Sequence, residues 1–146
     1  MSTLRKTTPV SSVTQAAAAA LVAAVHGAAA RIGFAAAVAI TDAGGHLKAF
    51  DRADDAPFLT AEVAFEKAWT AASFRIPTHT WNEYVADPRV APPAGHPRMT
   101  AVGGGCPIVE NGQCVGGLGV SGGSDEQDRA AAEEALAAVG FEVSGR

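Results

Sequence analysis

Lys67 is the charged residue most out of place in this chain. It lies in TAEVAFEKAWTAASF (60–74), a run apolar nearly all round, and the positions three and four away are Val63, Ala64, Thr70 and Ala71. Glu62 and Glu66 fall on a neighbouring face, so no local acid neutralises it well. Such a lysine snorkels to solvent, pairs with an acid from another element or another subunit, or, once desolvated, acts as a base or an anion hook. Arg52 ends a strand-like segment, where its planar fork suits a carboxylate or pairs with Asp54 or Asp55. Glu126, at a loop-to-helix junction, is a candidate acid that the helix dipole keeps ionised. Cys106 follows three glycines and precedes a proline, which opens its backbone approach, but a nucleophilic thiol also needs a histidine close in space.

Four histidines supply the remaining acid–base and ligating capacity: His26, His46, His79 and His96. No pair has the spacing of a helical metal site, and no metal is expected. His26 is set in an alanine-rich segment whose small neighbours admit a flat macrocycle, whereas His79, after Pro77 and beside Trp81, has the better access for catalysis. The segment from Gly119 to Ser124 leads into a helix, so the backbone N–H groups of Gly122 and Gly123 are candidates for holding an anion. Asp125 and Glu126 already occupy that potential, and there is neither a Walker lysine nor a dinucleotide-type glycine motif. A tight turn that brings helix and sheet together is the simpler reading.

The elements that must position these groups are read from periodicity and breakers. A first helix is expected over about Ser12 to Arg31, stopping near Gly33. Two antiparallel strands follow, Ala35 to Thr41 and His46 to Arg52, around a glycine-rich turn at 42–45. A second helix runs from Pro57 or Thr60 to Phe74, with Pro77 beyond its end. A short helix is expected around Trp81 to Ala86, and Pro88, Pro92, Pro93 and Pro97 then favour an extended loop. Strands over Cys106 to Val109 and Cys114 to Val120 flank Asn111-Gly112, a strong hairpin signal. Ser124 and Gln127 form a capping box at the start of a last helix that Gly140 ends. The order α-ββ-α-(α)-ββ-α predicts an α+β fold, one antiparallel sheet with flanking helices. Residues 1–12 read as a flexible N-terminus and 13–146 as a single domain.

Composition narrows the partners. A net charge of −4 with no cluster of cations beyond Arg5-Lys6 offers no field for a phosphate backbone, so nucleic acid is not expected. The uncharged stretch from Val13 to Ala30 has the outline of a signal peptide, but it is mostly alanine and is interrupted by His26 and Gly27. It is read as a packed helix, with no membrane partner. If Asn111-Gly112 is the turn, Val109 faces Cys114 and Cys106 lies about 10 Å further along its strand. Two free thiols are therefore expected, which suits a reducing, cytoplasmic compartment.

Four blocks carry a family resemblance: VAITDAGGHL at 38–47, FDRAD at 50–54, EKAWTA at 66–71 and GGLGVSGGSDEQD at 116–128. Together they resemble the GlcG/HbpS (DUF336) family, which includes haem-binding proteins and the C-terminal domain of PduO-type corrinoid adenosyltransferases, over about Val13 to Gly140. The resemblance implies a five-stranded antiparallel sheet flanked by helices, assembly as a homo-oligomer, and a small-molecule ligand, haem or a related tetrapyrrole. It also implies His26 as an iron ligand, since the residue falls near where some relatives are expected to hold one. The chain departs from the pattern at Cys106, where an aliphatic residue is usual, and in the proline-rich loop carrying His96. Those departures leave room for an alternative: a cofactor-independent enzyme acting on a small organic acid or aromatic metabolite. In it Arg52 or Lys67 would hold a carboxylate, while His79, Glu126 or Cys106 would move protons or attack.

Overall fold

Small side chains decide how the layers of this protein meet. The computed structural model describes residues 3–143. Helix α1 (Gln15–Ile32) begins where the Thr14 side chain accepts a hydrogen bond from the Ala17 N–H (3.1 Å) and ends at Gly33, whose φ of 109° terminates it in the left-handed region. Its length and mean hydropathy of 1.3 would let it cross a membrane by composition alone. In the fold its stripe of Ala18, Leu21, Val25, Ala28 and Ala29 packs into the core at helical spacing.

Strands β1 (Ala37–Asp42) and β2 (Leu47–Arg52) form the first hairpin; β3 (Gly105–Glu110) and β4 (Gln113–Ser121) form the second. All neighbours are antiparallel, in the order β2-β1-β4-β3. Alternation then sorts the residues between two faces. Val38, Ile40, Leu118 and Val120 join the core beneath α1 and α4 (Asp125–Val139), while Ala37 and Ala39 meet Ala64 and Ala68 of α2 (Leu59–Phe74) on the other side. On that second side β4 presents glycine. A Cβ at Gly119 would collide with the carbonyl oxygen of Ala64, and one at Gly117 with that of Ala68, so α2 lies backbone to backbone on the strand.

The expected α+β architecture is present, with differences in detail: α1 begins at Gln15 rather than about Ser12, and the proline-rich stretch is not simply extended but holds a short 3-10 helix over Pro92–Gly95. The sheet has four strands among the described residues, not five. After α4 the described residues make only a single bridge, Glu142 N–H to the Val109 carbonyl at 3.0 Å, along the outer edge of β3. Helix α3 covers Thr78–Tyr84, beginning three residues before the expected start. Pro77 does not merely follow α2; with φ −63° and ψ 148° it is also the N-cap of α3. The long segment from α3 to β3 is tied down by side chains. Thr70 Oγ1 donates to the Arg98 carbonyl and accepts from Thr100 N–H, both at 3.0 Å, and Asn82 donates to the Ala101 carbonyl at 2.6 Å. The capping box of α4 forms as expected, Ser124 accepting from Gln127 N–H while the Gln127 side chain accepts from Ser124 N–H.

Candidate functional site

Lys67 is the largest side chain to be fully buried, 2% exposed. From α2 it reaches past the end of the sheet to the start of α4 on the opposite layer. Its Nζ donates to the Val120 carbonyl and to Asp128 Oδ2, each at 2.9 Å. Asp128 is equally enclosed, its side chain 3% exposed, and its other oxygen accepts the Gly123 N–H at 2.9 Å. Burial pushes the Asp128 carboxyl above its ordinary pKa; the Lys67 charge, its hydrogen bond and the Gly123 N–H pull the other way. Gly104 makes the approach possible: with φ +120° it has no side chain where a Cβ would come within 2.9 Å of Lys67 Nζ and 2.7 Å of the Val120 carbonyl oxygen. Lys67 therefore takes its acid from another element, and that acid is Asp128.

The pairing also consumes the glycine loop. Gly123 N–H belongs to Asp128 and Ser124 N–H to Gln127, while a Cβ on Gly122 (φ +126°) would collide with the Ala35 carbonyl. The turn holds α4 against the sheet, and these two N–H groups are committed within the protein. His79, at the start of α3, is near this cluster: a Cβ on Gly103 would sit 3.5 Å from His79 Cβ and 3.3 Å from the Asp125 carbonyl oxygen. Glu126 is exposed on the first turn of α4.

The remaining candidates lie apart. Cys106 points into the core beneath α1 and α4, where burial, with a contribution from the Glu133 charge, pushes its thiol up to about 12; only Arg129 opposes this. A thiol held there stays protonated at neutral pH and has no nucleophilic form. Cys114, opposite Val109 in the ladder, is likewise unpaired, and its Sγ donates to the Gly116 carbonyl at 3.3 Å. The Arg52 guanidinium donates to the Ala56 carbonyl at the end of β2. Lys67 is thus tied through Asp128 to the Gly122-Gly123 turn, with His79 nearby, and Arg52 and Cys106 do not join them. Asp128 was not singled out beforehand, although its place on the buried stripe with Ala131, Ala132, Ala135 and Leu136 is a signal the spacing contains.

His26 stands on a different surface. Its imidazole projects from α1 toward the edge strand β2, 28% exposed, with Nε2 2.7 Å from Asp51 Oδ2. The pair has the separation of an ion pair but lacks the angles of a hydrogen bond, and Nε2 itself is closed to solvent. Around it α1 shows methyl groups to solvent at Ala19, Ala23 and Ala30, while the exposed Arg31 side chain lies over Gly27 and pairs with Glu134. His96, in the proline-rich loop, is exposed and stacks on Trp69 at 5.2 Å, while Arg98 lies over Phe65 (5.7 Å) and Trp69 (5.8 Å). Two adjoining clefts of about 450 and 300 Å³ share Val10, Arg75 and Cys114, and none of the residues singled out above as candidate ligands or catalysts lines them.

Residues 13–137 match the family described as "Haem degrading protein HbpS-like". An uncharacterised 15.0 kDa protein of the dhaT-dhaS intergenic region of Citrobacter freundii is 34% identical over 136 residues, 91% of this chain and 96% of that protein. Among solved structures, the Klebsiella pneumoniae protein ORFY superposes with a TM-score of 0.88 at 33% identity, covering 94% of this chain and 97% of ORFY. The PduOC:haem complex superposes with a TM-score of 0.84 at 30% identity, covering 92% of this chain and 99% of that one. With the family match running from the start of α1 almost to the end of α4, and four helices around an antiparallel sheet in the same arrangement, this chain belongs to the HbpS-like family.

Proposed function

We propose that the chain binds haem or a related tetrapyrrole on the face formed by α1 and β2, with the imidazole of His26 as the iron ligand. The observation that carries this reading is the state of His26 Nε2. It is a half-buried imidazole's ligating atom that the fold does not tie up in a hydrogen bond, on a helix that shows methyl groups to solvent at Ala19, Ala23 and Ala30. A flat macrocycle can lie against such a stripe without displacing longer side chains, and imidazole is a common axial donor to haem iron. The relation to a family described by haem degradation, and to a domain solved with haem, supports the same class of ligand. Haem, when bound, would supply a redox-active iron centre. What the chain itself contributes is the donor nitrogen and the apolar strip. The other candidate groups give less support to an enzyme of small organic acids: Lys67 is neutralised by Asp128, and Cys106 is held as a thiol in the core.

Absorbance titration of the purified protein with haemin tests the proposal, using alanine variants of His26, His46, His79 and His96. A saturable Soret shift at fixed stoichiometry, lost in His26→Ala and kept in the other three, is the expected result. Equal affinity in all four variants would remove histidine ligation.

A further inference from the structure

The nitrogen that would meet iron is not open in this structure. We infer that Asp51 caps His26, and that its side chain must swing away before the imidazole can bind a ligand; the inference rests on His26 being the donor. Asp51 lies on β2 opposite Val38 of β1, so it faces the same layer as α1, and its Oδ2 reaches to 2.7 Å from His26 Nε2. At that separation no iron can share the nitrogen, and Nε2 is already closed to solvent.

The same geometry says that the cap can open. β2 is an edge strand with exposed residues at nearly every position, and the Asp51 side chain is 60% exposed. Among the described residues, His26 is the one partner at ion-pair distance from Asp51, and the contact lacks hydrogen-bond angles. Rotating the carboxylate into water therefore breaks no core packing. Asp51 is thus a positioning residue that sets how large a fraction of the protein is competent to bind. Apparent affinity falls by that fraction, so removing the cap should tighten binding and speed capture together. The opposite role is physically distinct. A carboxylate that orients a ligating histidine through the ring's second nitrogen strengthens the metal bond, and its loss weakens binding. Here the contact is made by Nε2, the nitrogen more remote from the helix backbone and so the better placed to reach a ligand.

The test is haemin binding by Asp51→Ala and Asp51→Asn, measured as equilibrium affinity and stopped-flow association rate, each with and without His26→Ala. The cap predicts binding about tenfold tighter and faster in Asp51→Ala, with Asp51→Asn between it and the parent because the amide keeps the bulk without the charge. The Soret position should match the parent complex, showing that the same donor is used. Unchanged or weaker binding in Asp51→Ala, with His26→Ala still abolishing the complex, overturns the cap and leaves the ligand assignment standing. If His26→Ala binds haemin as the parent does, the assignment of His26 fails and the cap falls with it. Circular dichroism of each variant confirms the fold, which an exposed edge-strand substitution should leave intact.

Discussion

At the scale of single residues, Lys67 and Asp128 show why a buried charge is best judged as one half of a pair. Each is desolvated, and the raised pKa of Asp128 means that burial costs the carboxylate more than its partners return. Removing one member strands the other. Lys67→Ala is expected to destabilise the fold by about 3–5 kcal/mol. Lys67→Met combined with Asp128→Asn should recover much of that loss, because the amide oxygen can still accept the Gly123 N–H without carrying a charge. Denaturant unfolding of Lys67→Met, Asp128→Asn and the double measures the coupling; additive losses would show that the two groups do not act together. Lys67 was legible in the sequence because nothing within one helical turn neutralises it. The burial of Asp128 could be read from its place on the apolar stripe of α4, but its pairing with Lys67, 61 residues away, is a tertiary fact. Asp51 was hidden for the same reason: only the register of β2 against β1 turns it toward α1.

At the scale of elements, the contact of α2 with β4 is set by what is missing. Gly117 and Gly119 let the carbonyls of Ala68 and Ala64 come down onto the strand, and a single methyl group at either position must lift the helix. Gly119→Ala should therefore destabilise the protein by roughly 3 kcal/mol, at the upper end of overpacking costs, whereas the same change at the exposed Gly95 should be nearly silent. Thermal unfolding of the two variants checks this; a Gly119→Ala protein as stable as the parent would mean that the helix is not seated as described. The stop of α1 at Gly33, the caps of α4 and both hairpins were legible because each rests on neighbours in sequence, whereas the Thr14 cap of α1 was not read and its start was placed three residues early. The start of α3 was misplaced because Pro77 reads equally well as a stop and as a start. The fifth strand came from family resemblance alone, and the described residues show a single bridge at Glu142 in its place.

At the scale of the whole molecule, the described residues hold two separate charged pairs, one buried and one at the surface. The Lys67–Asp128 cluster holds α2 and α4 to the end of the sheet, and the His26–Asp51 pair lies on the α1–β2 side as the proposed ligand face. Residue types suggested chemistry at both, but only the fold shows that one of them is already spent on holding the layers together. That bolt also bears on time as well as on stability. Its two ends come from helices on opposite faces of the sheet, and it can close only after β4 has paired and α4 has docked against it. A contact with that requirement is expected to form after the barrier that limits folding. Breaking it should leave the refolding rate nearly unchanged and appear almost wholly as faster unfolding, so the two arms of the chevron for Asp128→Asn should separate on the unfolding side alone. The pair then acts as a brake on opening: it sets how long a folded molecule lasts rather than how quickly it is made.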